Sequence, residues 1–262
     1  MRWIGLGTHR LVVGFNASLI LLATCHALPL WAHAETLRFV SVAPGISYAT
    51  FEVHPPEGES FSGHAFKIDL SEAQLRLVTA GDLSSRQSVD QITASFPAMV
   101  AINASFFDKD GRAMGLAVGD SGRLGTGKLR SWGALVVNGR DARIVLGAGI
   151  PSHPDDPLIV QGIPRLVVAG KVPGLKPQLA ERTAVCAASG RVVMVVASKA
   201  ETTAFARFLA EPAENAGLGC ADALNLDGGP STQLVVRLPS LTLSVRGGWG
   251  VPNALVATPG KR

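Results

Sequence analysis

Val192-Val193-Met194-Val195-Val196-Ala197, entered from Arg191 and left through Ser198-Lys199, is an apolar run with no polar side chain inside it. A run this short, bounded by charged and turn-forming residues, reads as a strand. Its lack of alternation implies that both faces are covered. Working outward, residues 183–187, 158–160, 166–169, 134–137 and 100–103 read the same way on one side. Residues 223–226, 233–236 and 241–245 follow on the other. Toward the start of the chain, residues 37–42, 48–53, 65–70 and 75–78 complete the set of short β-like segments. Most are rich in Val, Ile and Leu, and they are separated by Gly, Pro, Asn, Asp or Ser.

Helical period shows in two places. Ser88-Val-Asp-Gln91 has the form of a capping box, with Ile92 and Phe96 on one side and a stop at Pro97. Thr203 can cap a second helix, in which Phe205, Phe208 and Leu209 form an i, i+3, i+4 stripe ending near Pro212. The fold class expected is therefore α+β: strand-rich mixed sheets with two or three helices in a single domain, residues 35–262.

Composition agrees with a folded core. The 262 residues are 47% hydrophobic and 17% charged, which excludes a disordered chain. With 29 Gly and 16 Pro, turns joining short elements are expected in number. The net charge of +4 is scattered rather than clustered, so no nucleic-acid partner is expected. Arg2 and Arg10 precede an apolar stretch that ends in Ala32-His33-Ala34, which reads as a secretory signal over residues 1–34 with cleavage before Glu35. Its apolar core is too short to span a bilayer. No membrane span is expected in the mature chain, and an exported location, periplasmic or extracellular, follows. Cys186 and Cys220 would then meet an oxidising compartment. A disulfide and two separate buried thiols are equally open readings of them.

Several familiar motifs fail. Residues 122–129 approach a phosphate-binding loop but end in Leu129, where a hydroxyl must hold magnesium. Asp108-Lys-Asp-Gly111 starts like a calcium loop yet has Gly119 at the closing position. His54, His64 and His153 fit neither a zinc motif nor a Ser-His-Asp triad.

Three patches have chemical content. In Ala223-Leu-Asn-Leu-Asp227-Gly228-Gly229-Pro-Ser231-Thr232, a buried strand delivers a carboxylate to its carboxyl end and two glycines turn the chain. Backbone N–H groups in such a turn can converge on an anion, and Ser231 and Thr232 add hydroxyls. An ordinary Asp-Gly turn between strands would look the same locally. Val100-Ala-Ile-Asn103-Ala-Ser105-Phe106-Phe107-Asp108 likewise runs from strand into polar and aromatic residues. Arg182, opening the strand before Thr183, suits a bidentate grip on phosphate or carboxylate, or an ion pair at a sheet edge.

Together, Asn103, Asp108, Arg182 and Asp227 followed by Gly-Gly-x-Ser-Thr resemble the phosphodiester glycosidase family. The likeness continues through Gln161-Gly-Ile-Pro164-Arg165 and through residues 219–232, covering about 100–236. Two departures stand out: Ala104 follows Asn103 where the family often has glycine, and Pro230 removes one N–H from the turn. The resemblance implies an exported hydrolase that cleaves the sugar C1–O–phosphate bond of sugar-1-phosphodiesters in glycans or glycoconjugates. On that reading Asp227 faces the anomeric carbon, and Asn103 and Asp108 orient the sugar or assist proton transfer. Arg182, Thr183, Gly228, Gly229, Ser231 and Thr232 hold the phosphate. The resemblance implies no definite cofactor. An oxygen-ligated calcium or magnesium ion stays open for an alternative metal-dependent phosphodiesterase with Asp108 and Asp227 as ligands. The other competing reading is a non-catalytic envelope protein that binds anionic glycans, with a sugar phosphate or polysaccharide as partner in either case.

Overall fold

The structure, a computed structural model, describes residues 36–82, 85–150 and 158–260. All of these fall within one compact unit, residues 34–262. The expected export signal at residues 1–34 and His153 lie outside the described residues.

The run that opened the sequence reading, within β13 (Arg191–Glu201), is an inner strand of a seven-stranded sheet. Its neighbours on one side are β3 (Phe61–Asp69), β2 (Ile46–Val53) and β1 (Val40–Ala43); on the other they are β12 (Leu179–Ala188), β14 (Ala223–Asn225) and β11 (Arg165–Val167). A second sheet orders β7 (Gly122–Arg123), β6 (Ala117–Gly119), β10 (Leu158–Gly162), β8 (Gly133–Asn138) and β9 (Asp141–Leu146). The third orders β16 (Leu241–Val245), β15 (Leu234–Leu238), β5 (Val100–Asn103), β17 (Asn253–Pro259) and β4 (Ala73–Thr79).

The expectation of strands covered on both faces is met residue by residue. Val192, Met194 and Val196 enter a core shared by all three sheets, with Leu135 and Val160 from the second and Ile102 and Leu255 from the third. The alternate residues Val193, Val195 and Ala197 pack with Phe205, Phe208 and Leu209 of α2 (Thr202–Ala210). Helix α1 (Val89–Ile92) closes the outer face of the third sheet through Val89 and Ile92. The capping box at its start is present: Gln91 N–H donates to Ser88 Oγ and Ser88 N–H to Gln91 Oε1.

Two expectations are corrected, the mixing of the sheets and the cap of α2. The sheets are not mixed, because every ladder between named strands is antiparallel. The sole parallel pairing among the described residues is the isolated bridge Ala113–Gly125. The described residues are mostly β, with two short α-helices, within the two or three expected. Thr203 does not cap α2; the cap is Glu201, whose Oε2 accepts from Thr203 N (2.8 Å) and Ala204 N (2.9 Å). Its longer side chain reaches back over the first turn, as a capping residue's must. Cys186 and Cys220 form a disulfide, with Cα atoms 5.7 Å apart, joining β12 to the chain leaving α2. Among the described residues no helix is long and apolar enough to cross a membrane.

Candidate active site

β5 and β14 lie in different sheets, yet their carboxyl ends meet. Asp227 N–H donates to Ala104 O (3.1 Å), and Asn103 Nδ2 donates to Asp227 O (2.7 Å), so the backbone of Asp227 is gripped from both sides. Asn103 is fully buried. Its Oδ1 accepts from Thr183 Oγ1 (2.8 Å) and from Gln233 N–H (3.0 Å). Thr183 Oγ1 also pairs with Thr232 Oγ1 at 3.2 Å. One amide thereby links β5, β12, the Asp227 turn and the start of β15. A buried polar group survives only with partners, and Asn103 has three.

Beyond Asp227 the chain turns within five residues. Gly228 is required by space, since a Cβ there would stand 2.7 Å from Glu181 O; Gly229 is required by its φ of +58°. Residues Gly229–Ser231 form a short 3-10 turn, in which Ser231 N donates to Gly228 O and Thr232 N to Gly229 O. Gly228 N donates to Asp227 Oδ1 at 3.0 Å. The expected cradle of free amides is thus corrected. Pro230 has no N–H, and three others are spent on the turn or on the carboxylate. Gly229 N–H alone in the turn has no partner among the described residues.

The Asp227 carboxyl is partly buried, and burial pushes its pKa up from 3.8 to about 6. The neighbouring Ser231 hydroxyl and Gly228 N–H pull the other way but do not prevail. Ser231 Oγ is sealed from solvent and has no hydrogen bond of good geometry, though it lies close enough to favour the ionised carboxyl. No charged side chain contributes to this shift, so the proton affinity of Asp227 is set by its surroundings.

Two expected residues do not join the cluster. Arg182 is 3% exposed, and its guanidinium is committed to Ala200 O (3.1 Å), Thr202 Oγ1 (2.8 Å) and Gln178 O. Through Nε and Nη2 it ties β12 to the start of α2, so the side chain is held inside the fold rather than standing clear for the expected bidentate grip on phosphate. Asp108 sits at a hairpin tip, where its Oδ1 accepts from Asp110 N (2.9 Å) and Arg112 N (3.0 Å). That is the turn-forming role of a short carboxylate, rather than one at the Asp227 carboxyl. Thr183 and Thr232 are buried and bonded to each other, so their hydroxyls brace the site instead of facing a ligand. Among the described residues no three His, Cys, Asp or Glu side chains gather in one place.

The sequence reading missed the segment Arg246-Gly247-Gly248-Trp249. It lies directly against the turn: Trp249 N donates to Pro230 O (3.1 Å), and a Cβ on Gly247 would stand 2.5 Å from that same oxygen. Arg246, His64, Glu181, Gly229 and Thr232 help line a cavity of about 560 Å³ beside it. Two glycines next to an exposed tryptophan, just after a strand, were the available signal.

A model of phosphodiester glycosidases matches residues 97–258, more than half of the chain. The chain belongs to the phosphodiester glycosidase family. The match runs past the 100–236 stretch in which the likeness was legible, and takes in β16, Arg246–Trp249 and nearly all of β17. Among solved structures, the catalytic domain of zebrafish N-acetylglucosamine-1-phosphodiester alpha-N-acetylglucosaminidase, auto-inhibited by its pro-peptide, is similar with a TM-score of 0.64. It is 16% identical over 85% of this chain and 86% of that one. A hypothetical protein from Synechocystis is similar with a TM-score of 0.58, at 18% identity over 84% of this chain and 63% of that one. At such identities the likeness establishes a shared fold. No curated protein matches the chain.

Proposed function

We propose that this member of the family hydrolyses sugar-1-phosphodiesters, breaking the bond between the anomeric carbon and the phosphate oxygen and releasing free sugar and a phosphomonoester. The observation that carries the reading is Asp227, a carboxyl that burial raises to a pKa of about 6, its backbone fixed at the junction of two sheets beside a glycine turn. A phosphomonoester leaves as a stable anion, so the reaction needs little help from a general acid. It needs negative charge beside the developing oxocarbenium ion, which an Asp227 carboxylate supplies as nucleophile or as base for water. Retention of anomeric configuration marks the first role and inversion the second. With Nε and Nη2 of Arg182 bonded to Gln178, Ala200 and Thr202, Gly229 N–H and Arg246, both lining the adjoining cavity, are the donors assigned to the phosphate. The Cys186–Cys220 disulfide supports an exported location, since such bonds persist in oxidising compartments.

N-acetylglucosamine 1-(methyl phosphate) and its glucose analogue are suitable probes. The purified protein should release reducing sugar and methyl phosphate. Asp227→Asn should lower kcat by about 10³-fold or more while still binding the probe. Probe retained unchanged by the wild type would favour a glycan-binding protein, and full activity in the variant would remove Asp227 from the reaction.

A further inference from the structure

Trp249 is 58% exposed, the highest value among the large exposed apolar side chains described. Its backbone is nonetheless fixed on both sides: its N–H donates to Pro230 O (3.1 Å), and its C=O accepts from Gln233 Nε2 (2.8 Å). Its ring meets Phe107 edge-on at 6.4 Å and 67°. The Arg86 guanidinium covers Phe107 at 5.2 Å, so the second ring is backed by a cation. Phe107 stands three residues after Ala104, whose carbonyl holds Asp227 N–H; Trp249 holds the turn three residues after Asp227. The two rings therefore belong to the strand ends and the turn that fix the carboxyl. With the backbone held in this way, the indole keeps a broad apolar face in water at a fixed place beside the turn.

We infer that Trp249 is a specificity-determining residue, an aromatic platform on which a pyranose ring of the substrate lies with its C–H face against the indole. This rests on the sugar-phosphodiester reading for the identity of the ligand. A pyranose matches the site chemically: one face of the ring is largely C–H and suits the indole, while its hydroxyls stay in water or meet polar groups around the turn. Binding pockets commonly combine such an apolar wall with a few placed polar groups. Trp249 acts on affinity and acceptance of the sugar, while Asp227 acts on the bond.

Two measurements separate this inference from the hydrolase reading. Kinetics on N-acetylglucosamine 1-(methyl phosphate) should show Trp249→Ala raising KM about tenfold with kcat within about threefold, and Trp249→Phe restoring most of the loss. In Asp227→Asn, titration of the same probe should quench indole fluorescence, and the quench should vanish when Trp249→Phe is added. Turnover with KM indifferent to Trp249→Ala overturns the platform and leaves the hydrolase standing. A Trp249-dependent quench without turnover by the wild type does the reverse. Loss of self-association in Trp249→Ala with KM unmoved would make the tryptophan a protein contact and overturn the inference.

Discussion

At the scale of single residues, burial of Asp227 ties stability to pH, and the proposed reaction with it. If the carboxylate is the reacting form, kcat/KM should fall as pH drops through about 6, the value burial imposes on the free protein. A carboxyl acting as proton donor would give the opposite limb, and a kcat/KM profile from about pH 4.5 to 8 distinguishes them. The same shift has a stability sign. The folded chain binds this proton more tightly than the unfolded chain, so stability is lost as pH rises between about 4 and 6. The loss amounts to at most ~3 kcal/mol, less where solvent reaches the carboxyl. Asp227→Asn should therefore gain up to ~2 kcal/mol at pH 8 and nothing at pH 4, measured by urea unfolding at both. Arg182 makes the contrasting case. Arg182→Lys should cost about 1–3 kcal/mol, by stranding the carbonyls of Gln178 and Ala200, with KM within twofold. A many-fold rise in KM at unchanged stability would return it to the phosphate. Sequence could place Asp227 at a strand end because the apolar run and the Gly-Gly turn are local. It could not tell that the Arg182 guanidinium turns toward Gln178, Ala200 and Thr202, since those partners are set by the path of the chain around α2.

At the scale of elements, the legible strands were those with long apolar runs, such as β13 and β12. β17 was missed because Asn-Ala-Leu-Val-Ala-Thr-Pro is small, Ala-rich and ends in proline, although it lies between β5 and β4 in the third sheet. Pairing with both neighbours, rather than intrinsic propensity, makes it a strand. β9 was missed for another reason: Asp-Ala-Arg-Ile-Val-Leu at the edge of its sheet alternates polar and apolar at its start, and its unbroken apolar run, Ile144-Val145-Leu146, is shorter than the Ala134–Val137 run of β8. The cap of α2 shows the same limit. A threonine within the first turn is the conventional cap, yet Glu201 reaches both amides. Glu201→Ala should cost about 1 kcal/mol by chemical unfolding, and Thr203→Ala much less; equal costs would argue against the assigned cap.

For the whole molecule, three antiparallel sheets share one core, and the site lies where two of them end. This arrangement explains how residues more than a hundred positions apart brace one carboxylate. Asn103→Ala, which removes the amide at their junction, should cost about 2–4 kcal/mol and lower kcat as well, because Asp227 O and Thr183 Oγ1 lose their partner. The disulfide reinforces the far side of the seven-stranded sheet by closing a loop of 34 residues in sequence separation. Cys220→Ser should cost about 3–4 kcal/mol under oxidising conditions and match the reduced wild type, as loop-closure entropy requires. In the proposed reaction the oxygen of water ends on the sugar and not on the phosphorus, with Asp227 responsible. Turnover of N-acetylglucosamine 1-(methyl phosphate) in water labelled with heavy oxygen tests it directly by mass spectrometry of the two products. The label should appear on the anomeric hydroxyl of the free sugar, with unlabelled methyl phosphate and no turnover in Asp227→Asn. Label on the phosphate, with sugar phosphate or methanol released, would contradict it.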